Sequence, residues 1–159
     1  MKSLERDAAW DYALHLLSYH SFTRQEMEKR LQRKGYSEEL AQSVVQRLEE
    51  LGLLDDREYA RRWIERHKEG RPAGRRLLAW QLRQKGVEEN IVATQLAEDL
   101  SREEERELAL ALARKQLNSL GGLEKRKLWS RLAGFLQRRG FEWELVEEVL
   151  RTLLGEEAT

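Results

Sequence analysis

Apolar residues recur every three or four positions along most of this chain, with charged and amide side chains between them. That spacing gathers apolar groups onto one stripe of an α-helix, and no run of strand-forming residues interrupts it. The stripe Trp10, Ala13, Leu14 and Leu17 predicts a first helix over residues 5–19. A second is predicted over 23–34, opened by the capping box Thr23-x-x-Glu26, in which side chains satisfy free backbone N–H groups. A third covers 37–51, with Leu40, Val44, Val45 and Leu48 inward and Gly52 at its end. The succession then returns twice. Tyr59, Ala60, Trp63 and Ile64 are followed by Leu78 and Leu82, then Ile91, Leu96 and Leu100; Leu108, Ala109 and Leu112 are followed by Leu128, Leu132 and Leu136, then Leu145, Val149, Leu150 and Leu153.

One phrase punctuates each round: "LQRKGYSEEL" at 31–40, "LRQKGVEENI" at 82–91 and "LQRRGFEWEL" at 136–145. A glycine just past a helix can turn left-handed without a Cβ penalty, and such a stop pairs an apolar residue before it with one after it. The expected pairs are Leu31 with Tyr36, Leu82 with Val87, and Leu136 with Phe141. Lys34, Lys85 and Arg139 put a cation at the negative end of each helix, while Ser37 and the glutamates after each glycine favour the next start. The glycines lie 51 and then 54 residues apart, so the expected architecture is all-α: three tandem three-helix repeats, about nine helices, at 1–53, 54–101 and 102–159. "GLLDD" (52–56) should join the first two repeats; "HKEGRPAG" (67–74) and "LNSLGG" (117–122) should be turns, and the last few residues a frayed tail.

Composition agrees with helix: 159 residues, one proline and 36% charged side chains. No apolar run approaches a membrane span and no signal-peptide core opens the chain, so a cytoplasmic protein without a membrane partner is expected. The absence of cysteine excludes disulfides and thiolate metal sites. His15, His20 and His67 are scattered, no Walker-type loop occurs, and the glutamate pairs read as helix starts. The expectation is therefore no enzyme, no cofactor and no metal.

The formal net charge of zero conceals a strong sorting. Residues 71–86 carry five basic side chains and no acid, and 123–140 carry six against Glu124. The third-helix segments 36–56, 87–105 and 141–159 are acidic. Intramolecular attraction and dipole preference explain part of this. The excess in 71–86 goes further than capping requires and points to a polyanionic or acidic partner. Arg61, Arg62, Arg66 and Lys68 form a basic face on the preceding helix, which reads either as a solvated face or, adjoining Arg71, Arg75, Arg76, Arg83 and Lys85, as an extension of that cluster. Trp80 falls about 160–200° from Leu78 and Leu82 at 100° per residue, on the side of Arg76 and Arg83. It could stack on a base or anchor an interface; the competing reading packs it against a neighbouring repeat. Trp10 and Trp63 read as core, while Trp129 and Trp143 stay open.

The stretch "DDREYARRWIERHKEGRPAGRRLLAWQLRQKGV" (55–87) resembles the RecX family, bacterial regulators of the RecA recombinase, through Asp55-Asp56, Tyr59-Ala60, Trp63, Gly74, Arg75-Arg76 and Leu82-x-x-Lys85-Gly86. "LLSYHSFTRQEMEKRLQRKGY" and "FLQRRGFEWELVEEVL" extend the likeness over most of the chain, whereas Gln81 stands where many members carry an acid and Trp80 is unusual. The resemblance implies an elongated array of the three repeats, a monomer lying in the groove of the RecA–DNA filament, hindering ATP hydrolysis, strand exchange and repressor cleavage or blocking filament extension. It would act in homologous recombination, DNA repair and the SOS response, with contact to single- or double-stranded DNA open. The expected binding residues are Arg61, Arg62, Arg66, Lys68, Arg71, Arg75, Arg76, Trp80, Arg83 and Lys85, and reversal of Arg75 and Arg76 to Glu should leave helical content intact. The rivals are a module acting directly on DNA, against which the acidic third helices speak, and a structural adaptor unrelated to RecA.

Overall fold

A computed structural model describes residues 2–155, within which the chain forms nine α-helices and no strand. They are α1 (Lys2–Tyr19), α2 (Arg24–Lys34), α3 (Glu38–Glu50), α4 (Asp56–Glu69), α5 (Arg75–Gln84), α6 (Glu89–Asp99), α7 (Arg102–Ser119), α8 (Lys125–Arg138) and α9 (Trp143–Leu154). The expected frayed tail lies outside the described residues. Two expected turns start late: 67–69 still belong to α4 and 117–119 to α7.

The helix stops form as the phrase requires. Gly35, Gly86 and Gly140 have φ of 115°, 91° and 91°. The amides of Tyr36, Val87 and Phe141 donate to the carbonyls of Leu31, Leu82 and Leu136 at 3.0–3.1 Å, closing a Schellman turn each time. At the starts, Thr23 Oγ1 accepts from the Glu26 amide (3.1 Å) while Glu26 Oε1 accepts from the Thr23 amide (3.0 Å), completing the capping box. Ser37 caps α3, and Ser101 with Glu104 makes a second capping box at α7.

By Cα packing the chain divides into two compact units, which cut across the middle of the sequence: residues up to Arg62 with Leu82–Val92, and Trp63–Gln81 with Ala93 onward. In the first unit α1, α2 and α3 pack on one another around Ala9, Ala13, Met27, Leu31, Val45 and Leu48, all fully buried. The buried face of α1 is not quite the expected stripe. Ala9, Ala13 and Leu16 point inward, Trp10 and Leu17 lie at the margin, and Leu14 is exposed, so the inward stripe is turned about one residue from the expected one. In the second unit α7, α8 and α9 enclose Ala109, Leu132, Leu136, Phe141, Val146 and Leu150, with Trp129 also buried, while Trp143 is exposed. On α6 Val92, Gln95 and Leu96 are buried, with Ile91 half-buried.

Candidate interaction surface

Two joints hold the start of a second helix against the glycine stop of the following repeat. In the first unit, the Thr23 hydroxyl donates to the Lys85 carbonyl (2.6 Å), beside Gly86. The Arg24 amide donates to Asp56 Oδ1 (2.9 Å). Burial raises the pKa of Asp56, opposed by that hydrogen bond and by the Arg24 charge. In the second unit, the Gly74 amide donates to the Arg139 carbonyl (2.7 Å) and the Arg76 amide to the Gly140 carbonyl (3.2 Å). The Arg75 amide donates to Glu105 Oε2 (2.6 Å). The helices are stacked head to tail at each joint, so the dipole of one meets the opposite end of the next.

The close approach explains the glycines more fully than their φ alone. A Cβ on Gly86 would run into the Gln25 side chain, and one on Gly140 would run into Leu77, backbone included. A Cβ on Gly74 would lie 2.5 Å from the Gly140 carbonyl oxygen. Arg139 also does more than end its helix: its guanidinium donates to the Pro72 carbonyl at 2.7 Å and the Arg71 carbonyl at 3.0 Å. Burial lowers its pKa, and the charge on Arg71 adds to the shift.

The sequence-expected binding residues divide by this geometry. In the second unit, Arg75 turns inward: its Nε donates to Glu105 Oε1 (3.2 Å) and its NH2 to the Leu100 carbonyl (2.7 Å). Reversing it to Glu would put a second carboxylate beside buried Glu105, so the expectation that the Arg75/Arg76 double reversal leaves the helices intact is withdrawn. Lys68 is likewise committed, at 2.9 Å from Glu104 and 3.1 Å from Glu65. Burial works against its charge, yet hydrogen bonds to Glu104 and Glu65 outweigh that and raise its pKa. Arg66, Arg71 and Arg76 are exposed, with Arg66 lying over the Trp63 ring at 5.4 Å and Arg76 reaching the Gln137 carbonyl at 3.2 Å. Trp80, four residues after Arg76 on α5, is 56% exposed, so more than half of it is open to a partner. Trp63 is not core: it is half-buried, donates from Nε1 to Gln81 Oε1 (3.0 Å) and stacks on His67. The polar edge of its indole needs a partner, and Gln81 supplies it.

In the first unit, Arg61 and Arg62 converge on Glu58, with Arg61 Nε at 2.9 Å and Arg62 Nε at 3.0 Å. The hydrogen bond from Arg61 dominates in lowering the Glu58 pKa to about 2; loss of hydration opposes it, and the hydrogen bond from Arg62 and both arginine charges add to the lowering. Arg83 donates to Glu89 at 2.7 Å, which raises its pKa, and Lys85 faces Glu26 at 3.8 Å across the joint. Among the described residues no group of His, Cys, Asp or Glu is placed to hold a metal ion, and no helix is long and apolar enough to cross a membrane.

These features define a helical repeat protein whose second helices are basic and whose repeats are joined at glycine stops. Models of the first, second and third three-helix domains of RecX match residues 9–48, 55–96 and 103–150. A regulatory protein RecX of Amycolatopsis mediterranei is 34% identical over 148 residues, covering 93% of this chain and 84% of its own length. One from Chlorobaculum tepidum is 34% identical over 154 residues, covering 97% and 93%. The chain belongs to the RecX family of regulatory proteins. Its fold is similar to the crystal structure of RecX from Lactobacillus salivarius, with a TM-score of 0.89 at 22% identity over 95% of this chain and 97% of that one.

Proposed function

We propose that this protein is a negative modulator of the RecA recombinase, binding in the groove of the RecA–DNA filament and inhibiting its ATPase, strand-exchange and coprotease activities or blocking filament extension. The observation that carries the reading is that all three RecX domains match in order along the chain. The exposed Trp80 beside Arg76 supports it, because an aromatic anchor next to a guanidinium suits both a protein hot spot and a nucleic-acid surface. Contacts are assigned to Arg66, Arg71, Arg76 and Trp80 in one unit and to Arg61, Arg62 and Arg83 in the other. Lys68, Arg75 and Lys85 instead hold the scaffold that presents them. A repeat protein on a repeating polymer gains by multivalency, since each engaged domain raises the effective concentration of the next.

The deciding experiment titrates the protein, well below the RecA concentration, into the single-stranded-DNA-dependent ATPase of the cognate RecA, with binding to bare DNA measured in parallel. Inhibition at doses too low to mask the DNA supports a filament regulator and favours blocked extension over coating. No inhibition at equimolar protein rejects the reading.

A further inference from the structure

Each filled joint has three parts: a glycine stop with the carbonyl before it, a carboxylate from the first helix of the same repeat, and an incoming helix start. The carboxylates occupy one register. Asp56 lies four residues before fully buried Ala60, and Glu105 four before fully buried Ala109; Ile64 and Ala113 continue the same buried column. The first repeat has this column in Ala9 and Ala13, and four residues before Ala9 stands Glu5, which is exposed. Its glycine stop, Gly35, has the same left-handed backbone, with open space around the Cβ position where Gly86 and Gly140 meet an incoming helix. The ammonium of Lys34 lies 5.2 Å over the Tyr12 ring, fixing the end of α2 against α1.

We propose that Glu5, the Lys34 carbonyl and Gly35 form a docking surface for the N-terminus of a helix from a protein partner. The incoming helix must meet the terms set by the two filled joints. Its N-cap is small, as Thr23 and Gly74 are, because the cap sits against the stop carbonyls. Its first helical residue is basic, as Arg24 and Arg75 are, and its N–H groups face the carboxylate. A second copy of this chain does not meet these terms through α8. The N-cap there is Glu124, which would direct a carboxylate at carbonyl oxygens and overfill the space Gly74 leaves.

The test is independent of RecA, so its failure is separable from failure of the proposed function. The isotope-labelled full chain is titrated with a side-chain-stapled helical peptide copying residues 73–85, followed by amide chemical shifts. The expected result is saturable shifts at Lys34, Gly35 and Tyr36 with affinity falling about tenfold in Glu5→Ala, the loss typical of a hydrogen bond to a charged group. Glu39→Gln, on exposed α3 surface, should leave the affinity unchanged. A peptide carrying Glu in place of its Gly74 should no longer bind. Absence of saturable shifts around Gly35, or shifts indifferent both to Glu5 and to the peptide's N-cap, overturns the proposal. Concentration-dependent shifts of the same amides without peptide would assign the surface to a second copy and overturn the partner assignment.

Discussion

Among the side chains assigned as contacts, Trp80 is the most exposed large apolar one of its helix. It is large, more than half exposed and placed on the polar side of a basic helix, so packing does not explain its presence there. Trp80→Ala is expected to weaken inhibition of the RecA ATPase about tenfold, or about 1.4 kcal/mol, with an unchanged melting curve. Full inhibition by that variant removes Trp80 from the contact set. Gly86 sits at the other extreme, where the backbone decides. Its φ of 91° and the proximity of Gln25 make Gly86→Val costly twice over, by about 2 kcal/mol or more in urea denaturation. Gly35 has the same left-handed backbone but open space, so Gly35→Val should cost less than Gly86→Val. Equal losses at the two sites would show that the joint contributes nothing.

At the scale of elements, the start of α5 is capped from another helix. Glu105 on α7 accepts from both the backbone and the side chain of Arg75. Glu105→Ala would leave the Arg75 Nε and a helix-start N–H without their partner, with only the Leu100 carbonyl still holding the guanidinium, a loss of about 3 kcal/mol in chemical denaturation. A change below 0.5 kcal/mol would contradict the cap. On α4, Glu58 couples to acid stability in a defined direction. Its folded pKa of about 2 lies below the ordinary 4.5, so the stabilisation it lends is complete above about 4.5 and disappears as pH falls through about 2. The Glu58 carboxyl resonance should therefore titrate near 2, and the Glu58→Gln variant should show a flatter acid limb. A midpoint near 4.5 would mean that Arg61 and Arg62 do not hold it in solution.

For the whole molecule, family membership brings the regulatory role and charge sorting suggests how it is exercised. The acidic third helices and basic second helices cancel in sum, so a partner meets local fields, not a net charge. Salt screens such fields over about 10 Å at 0.1 M. Inhibition of RecA should therefore weaken as salt rises from about 0.05 to 0.2 M, with the arginines of α4 and α5 setting the slope. Salt-independent inhibition would shift the weight to apolar contacts such as Trp80.

Periodicity and the repeated Lys/Arg-Gly phrase were sufficient for the all-α class, the nine helices and the Schellman stops, because all three depend on interactions within a few residues. The same local logic placed the cap at Thr23 and excluded Trp80 from the core stripe of its helix. What neighbours in sequence could not decide was how each exposed-looking charge is used. Arg75 and Arg76 are adjacent in a helix and alike in type, yet one is drawn into Glu105 and the other faces solvent. Trp63 follows the apolar stripe but stays half-buried because Gln81 and His67 meet its ring. His67 is a neighbour on the same helix, but Gln81 and Glu105 lie 18 and 30 residues from Trp63 and Arg75, and only tertiary packing brings them into reach.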